Sequence, residues 1–419
     1  MRRGGVTRAH HMNQRNTALN SGTDPEPSRT RRFAIPSLDR HEISGSLGDL
    51  GTFIPLLVGM SVTNGLDFTA ALFFAGLFNI VTGLIFSIPM AVQPMKAIAA
   101  VAISEHLPLG QILAAGIWTS AIIFVLGITG LITAVNRLIP KPVVRGLQLG
   151  LGLQLLEKGV QLVRDTHVLW GFDSISIGIL GFAMVLAFAS SRKVPSALIL
   201  FVAGLGLAVA INPGVVSSLR LGFNLPHWVP LTWADFRGSF FRAAVPQIPL
   251  TTLNSVIAVC ALSMDLFPER PARPRRVAVS VGLMNLLSGW FGAMPMCHGA
   301  GGLAGQYRFG ARSSASIIFL GGVKLLLALF LGGSLLTLLH IYPNSILGVL
   351  LSISGLELAL VATDQTERLA ATIMLGTAAG VLALGSTATG FAIGWVLALL
   401  IGWKNTGNEQ GNRDQTKSH

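Results

Sequence analysis

PMAVQPMKAIAA, at residues 89–100, places two prolines, a glutamine and a lysine inside an otherwise apolar region. A lysine near a bilayer centre costs about 2.5–3.5 kcal/mol on insertion scales. Two prolines five residues apart interrupt any continuous helix. Backbone of this kind is tolerated at membrane depth only where protein buries it or where it lines a cavity. The stretch therefore predicts a transmembrane segment that breaks here. A short helix then begins near Pro94, with its N-terminal N–H groups open to an anion.

The stretch has a partner half a chain away. GLFNIVTGLIFSIPM at 76–90 and GLMNLLSGWFGAMPM at 282–296 share Gly, Leu, Asn, Gly, Pro and Met at six of fifteen positions. The first copy continues into AVQPMKAIAA and the second into CHGAGGLAGQYRFG. Both copies lead an apolar helix into a Pro-Met break and then a small-residue segment, the pattern of a transporter built from two similar halves.

Working outward, the 419 residues are 51% hydrophobic and 11% charged, with a mean hydropathy of +0.64. Soluble domains carry about 25% charge, so this is the composition of a polytopic membrane protein. The 48 glycines, with GLQLGLG at 146–152 as one cluster, suit close helix packing in lipid. The net charge of +12 lies in tails and short loops and does not indicate nucleic acid. Cys260 and Cys297 form neither a disulfide framework nor a zinc spacing. There is no dinucleotide or P-loop fingerprint, no HExxH, no GxSxG and no pair of intramembrane aspartates, which argues against an enzyme.

Residues 1–40 read as a disordered cytoplasmic tail without a cleavable signal; the Arg-rich start loosely resembles an organelle transit peptide. Apolar segments follow at 47–63, 68–88, 94–105, 111–134, 141–157, 174–191, 195–212, 240–263, 276–296, 299–307, 313–339, 343–361, 367–384 and 386–402. Segments three and ten are too short to span, since a crossing needs about 20 residues. The count predicts an all-α polytopic membrane protein of about 14 transmembrane segments, arranged as a 7+7 repeat. An odd number per half makes the halves inverted. The first repeat covers 41–212 and the second 240–403, with an external connection at 213–239 and a cytoplasmic tail at 404–419. With both termini cytoplasmic, the inner loops contain Arg137 and Lys141; Arg192 and Lys193; Glu269, Arg270, Arg273, Arg275 and Arg276; and Arg308 and Arg312. The opposite loops include HIYPNS and GSTATG without Lys or Arg, so the positive-inside rule is satisfied; the loop at 157–173 is mixed.

GSLGDLGTFIPLLVGM at 45–60, PMAVQPMKAIAA at 89–100 and PMCHGAGGLAGQYRFGAR at 295–312 resemble the molybdate transporters related to sulfate permeases, over about residues 42–402. The resemblance implies uptake of a tetrahedral oxyanion by a core domain moving against a gate domain. It also implies that the chain ends without the cytoplasmic regulatory domain that many sulfate permease relatives carry.

A dianion in a low-dielectric site needs donors and positive charge arranged in advance. Half-helices starting near Pro94 and Gly299 would aim two positive ends at one midplane site, each worth about half a charge. Gly299, Gly301 and Gly302, with Ala300 among them, allow close backbone approach or simply tight helix crossing. Gln93, beside Met95, either donates to an oxyanion oxygen or ties the half-helix to a neighbour. Lys96, taken as one turn into that helix, either neutralises the dianion or pairs with Asp49. His298 either donates to the ligand or is a satisfied core residue. Asp49 is the candidate proton site, with an ion pair to Lys96 or an arginine as the competing role. Thr52, one turn on, faces the same way and is a candidate substrate contact. The counterpart segment PQIPLTTLNSVIAV at 246–259 has Gln247, Thr251 and Asn254 but no acid. Tyr307, Arg308 and Arg312 read mainly as topology anchors. Lys324 either snorkels or pairs with an acid such as Glu357.

The expected function is secondary active import of molybdate by alternating access; a sulfate or other oxyanion carrier and a passive anion channel are the alternatives. No cofactor or metal is expected, and protons are the candidate coupling ion. The partners are a small inorganic oxyanion and the lipid bilayer of the cell membrane, with a homodimer as a candidate assembly.

Overall fold

A computed structural model describes residues 37–188 and 194–402. The expectations for the tails at 1–36 and 404–419, and the loop charges Arg192 and Lys193, lie outside the described residues. In chain order the main helices are α1 (Arg40–Asn64), α2 (Phe68–Phe86), α3 (Lys96–Glu105), α4 (Leu109–Thr129), α5 (Lys141–Arg164), α6 (Ile175–Phe188) and α7 (Ser196–Ile211). They continue with α8 (Trp233–Leu266), α9 (Pro274–Ser288), α10 (Ala300–Arg308), α11 (Ala315–His340), α12 (Asn344–Leu360), α13 (Arg368–Leu384) and α14 (Thr387–Leu400). Among the described residues, six helices are long and apolar enough to cross a membrane: α1, α2, α4, α8, α11 and α12, the last continued by a 3₁₀ turn to Asp364.

Several boundaries differ from those read in the sequence, each for a local reason. Pro94 belongs to an extended strand, so α3 begins at Lys96 with Met95 as its N-cap. Lys96 is therefore the first residue of the helix, not one turn into it. The ninth segment stops being helical at Ser288; a 3₁₀ turn and Gly292, at φ 75°, follow before the Pro-Met break. α5 continues past 157 to Arg164. α8 begins at Trp233, ahead of residue 240, on a capping box in which Thr232 and Asp235 exchange hydrogen bonds. This helix contains two π-helical stretches, Phe240–Ala244 and Thr251–Ala258, on either side of Pro246 and Pro249. Proline removes an N–H from the regular ladder, and the wider π turn accommodates the mismatch.

The two breaks meet. Val92–Pro94 (β1) and Met296–His298 (β2) pair antiparallel, with Val92 opposite His298, Gln93 opposite Cys297 and Pro94 opposite Met296. All six residues are buried. The asparagines shared by the two sequence copies fasten this ribbon. Asn79 Oδ1 accepts from Val92 N at 2.8 Å. Asn285 accepts from Met296 N at 2.6 Å and donates to Met296 O at 2.7 Å.

Around the ribbon, α2 packs along α11, α4 along α9, α5 along α12 and α13, and α13 on α14. Glycine makes the tightest crossings possible. A Cβ on Gly76 of α2 would stand 2.7 Å from Gly321 O of α11, and one on Gly152 of α5 would stand 2.5 Å from Gly355 O of α12. Between α7 and α8 the chain runs along α11, where Gly222 N and Asn224 N donate to Phe330 O and Leu329 O.

Stranding buried backbone polar groups costs about 1–3 kcal/mol each. Asn285→Ala removes both bonds to Met296 whereas Asn79→Ala removes one bond to Val92. Thermal unfolding in detergent is expected to show the larger loss of melting temperature for Asn285→Ala.

Candidate functional site

Several elements surround the strand pair, beginning with the 3₁₀ turn Leu47–Asp49 inside α1. That turn buries the Asp49 carboxylate beside Gln93, whose Nε2 donates to Asp49 Oδ1 at 2.5 Å. Gly299 and Gly302 make room for this amide. A Cβ on Gly299 would overlap Gln93 Oε1, and one on Gly302 would lie 2.9 Å from Gln93 Nε2 and 3.0 Å from Asp49 Oδ1. Of the two roles read for Gln93, the tie to a neighbour is the one seen, with Asp49 as the neighbour. These two glycines are likewise occupied with packing around Gln93.

Gly301 is different. It is exposed, and the space where its Cβ would stand holds only Lys96 Nζ, at 4.0 Å. Lys96 is half-buried, and among the described residues it forms no ion pair within 4 Å, while Glu357 and Asp49 act on its charge from further away. The first turn of α10, at Ala300 and Gly301, thus opens onto the Lys96 ammonium group.

The two half-helix ends are not equivalent. Gln247 of α8 reaches across to α3, and its Oε1 accepts from Ala97 N at 2.9 Å and Ile98 N at 3.2 Å. Thr251 accepts from Gln247 Nε2 at 2.9 Å and holds the amide in place. Two N–H groups expected to face an anion are therefore already capped. Ser255, four residues further along the same helix, donates to Cys297 Sγ at 3.1 Å. The π-helical stretch brings Thr251 and Ser255 to the strand pair.

The cation in contact with Asp49 is neither Lys96 nor an arginine, and Lys96 acts on its charge from beyond ion-pair distance. Lys324 of α11 is 3% exposed, and its Nζ lies 4.0 Å from Asp49 Oδ2 and 3.3 Å from the centre of the Phe53 ring. Among the described residues, neither Lys324 Nζ nor Asp49 Oδ2 has a hydrogen-bond partner. The two alternatives read for Lys324, snorkelling or pairing with Glu357, are replaced by this buried contact. Nothing in the sequence links positions 49 and 324; only the crossing of α11 past α1 does.

His298 stands apart from the cluster. Side chains alternate across a strand, so His298 faces away from Gln93 and Cys297. Its Nε2 lies 3.0 Å from Ser280 Oγ on α9, and its ring meets Phe86 edge-on at 5.7 Å. Met95 is buried, and its N–H is used by Pro295 O. Thr52 is half-buried one turn beyond Asp49. Arg312 covers the Tyr307 ring at 3.6 Å and donates to Tyr307 O, while its own N–H goes to Glu42. Arg145 of α5, half-buried, binds Asp364 at 2.8 Å and Asn254 of α8 at 3.2 Å, a link that sequence reading missed.

A family described as molybdate transporter of the MFS superfamily matches residues 41–155 and 239–358. The chain is 44% identical over 414 residues to Molybdate transporter 2 of Arabidopsis thaliana, covering 88% of this chain and 89% of that protein. It is 37% identical over 466 residues to Molybdate transporter 1 of Chlamydomonas reinhardtii, covering 85% and 90% respectively. Its fold is similar to that of SLC26A9, with TM-score 0.65, 14% identity and coverage of 86% of this chain. The match spans 64% of the SLC26A9 chain, less than two thirds of its length. The fold is also similar to the transmembrane domain of the cyanobacterial bicarbonate transporter BicA, with TM-score 0.61, 15% identity and coverage of 85% and 96%.

Removing one member of a buried ion pair leaves an uncompensated charge and costs about 3–5 kcal/mol. Lys324→Met and Asp49→Asn are each expected to lower stability. The double variant is expected to recover most of the loss in a double-mutant cycle read by thermal unfolding.

Proposed function

This chain belongs to the molybdate transporter family and is a multi-pass membrane protein, and from that premise we propose that it imports molybdate by secondary active transport with alternating access. The observation that carries the proposal is the opening beside Gly301. There the Lys96 ammonium and the first turn of α10 face the same space, next to a buried cluster of Asp49, Gln93 and Lys324.

Charge supports the assignment. Asp49 sits against Lys324, and Lys96, which also feels Glu357, faces the first turn of α10 where the anion would lie. Full desolvation of a dianion demands such compensation. The substrate-binding set in this reading is Lys96 with the backbone of Ala300 and Gly301, and Thr52 at the rim. Gln93, Met95, Gly299 and Gly302 shape the floor. His298 positions β2 from behind. Asp49 is the proton site: protonation would release Lys324, and this exchange would couple the proton to the movement of the core.

The wider architecture of this reading is fourteen segments in two inverted halves. Several contacts support it. The two sequence copies are offset by 206 residues, and so are the paired residues Val92 and His298, as expected if a pseudo-twofold axis passes through that pair. Under the same offset the packing of the second segment on the eleventh corresponds to that of the ninth on the fourth, and both are seen. Placement in the cell membrane with both termini cytoplasmic, and assembly as a homodimer, complete the proposal. Cysteine-accessibility labelling tests the first and the mass of the purified particle tests the second.

Vesicles containing the purified protein are expected to accumulate labelled molybdate when a proton gradient is imposed. Failure to accumulate it under any ion gradient would overturn the reading, and equal competition by sulfate would broaden the substrate to oxyanions in general. Lys96→Gln is expected to weaken binding about tenfold or more, the worth of a charge-assisted hydrogen bond. Gly301→Val, at a position where an added Cβ finds Lys96 Nζ nearest at 4.0 Å, is expected to keep the melting temperature and lose molybdate binding. Retained binding in that variant would remove the anion from this position.

A further inference from the structure

On the outer surface of α2 and α9 lies a groove of about 670 Å³. Its walls are apolar and open: Val81 and Ile85 on α2 are 39% and 55% exposed, and Leu283 and Leu287 on α9 are 44% and 61% exposed. One end is closed by Arg273, Arg275 and Arg276, all exposed. Arg275 is anchored by donating to Ile128 O at 2.9 Å. Among the described residues, none of the three arginines pairs with a carboxylate.

We propose that this groove binds one anionic phospholipid, with its phosphate on Arg273 and Arg276 and an acyl chain along Val81, Ile85, Leu283 and Leu287. The argument is complementarity at both ends of one molecule. A soluble anion would satisfy the arginines and leave the apolar walls bare. A zwitterionic lipid would cover the walls and leave the cluster with excess positive charge. Basic residues at a membrane surface favour anionic lipid by about 1 kcal/mol each. The inner wall includes Ser280, whose hydroxyl contacts His298 of β2. A lipid here would therefore brace the two helices that lead into the breaks.

The test uses the full-length protein, delipidated in detergent and titrated with phosphatidylglycerol or phosphatidylcholine, with retained lipid counted by native mass spectrometry. Wild-type protein is expected to retain one phosphatidylglycerol in preference to phosphatidylcholine. The double variant Arg273→Gln/Arg276→Gln is expected to bind it about 25-fold more weakly, about fivefold per arginine. Leu283→Trp, which fills the groove without changing charge, is expected to abolish retention, while Arg368→Gln, at the exposed start of α13, leaves it unchanged. Equal retention of the two lipids by wild-type protein would overturn the proposal, and this comparison holds even if a variant fails to fold. Displacement of phosphatidylglycerol by millimolar inorganic phosphate would also overturn it, by reducing the site to a soluble-anion site. So would full retention by the double variant with an unchanged melting temperature in phosphatidylcholine.

Discussion

Extended backbone buried in an apolar interior must find hydrogen-bond partners, because no water is there to supply them. Two apolar stretches of this protein break into extended backbone, and each break exposes the backbone groups that the other needs. β1 and β2 pair with each other, and Asn79 and Asn285 supply further bonds from the helices that lead into them. The rest of the molecule depends on this closure. The short helices α3 and α10 start where they do because the strands end there.

Helix packing around the ribbon follows from small residues. Without a hydrophobic drive between helices in lipid, close backbone approach is what holds them. The crossings at Gly76 with Gly321 and Gly152 with Gly355 place helix backbones in contact. The first lets α11 carry Lys324 past α1 to Asp49. A charged side chain 3% exposed in this setting is stable only because a carboxylate and the Phe53 ring face it. The site is thus assembled by crossings far from the strands themselves.

The breaks were legible in the sequence because proline and glycine have local meaning, and the repeat of Asn, Pro and Met advertised that they come as a pair. The apolar helices were legible because the apolar runs are long. The pairing of Asp49 with Lys324 was not, since it spans 275 positions and depends on a helix crossing that no local pattern encodes. The cap on α3 by Gln247 was hidden for the same reason: an amide inside a helix looks alike whether it faces a neighbour's N-terminus or its own. His298 was read either as a ligand donor or as a satisfied core residue, and strand alternation turns it toward Ser280 and Phe86. Gln93 was named as a candidate from its place in the broken stretch; its commitment to Asp49 required geometry.

The strand pair is only three residues long on each side, and that brevity has a mechanical consequence. A ribbon so short has no slack. Because the side-chain period is two, a slip of one residue would exchange the faces of Gln93 and His298 and empty the Asp49 contact. The ribbon therefore acts as a rivet, not a hinge. α3 and α10 are joined through it into a single stiff piece, and neither can tilt alone. Any motion that exposes the Gly301 opening to one side of the bilayer and then the other must carry both half-helices together past α5 and α12.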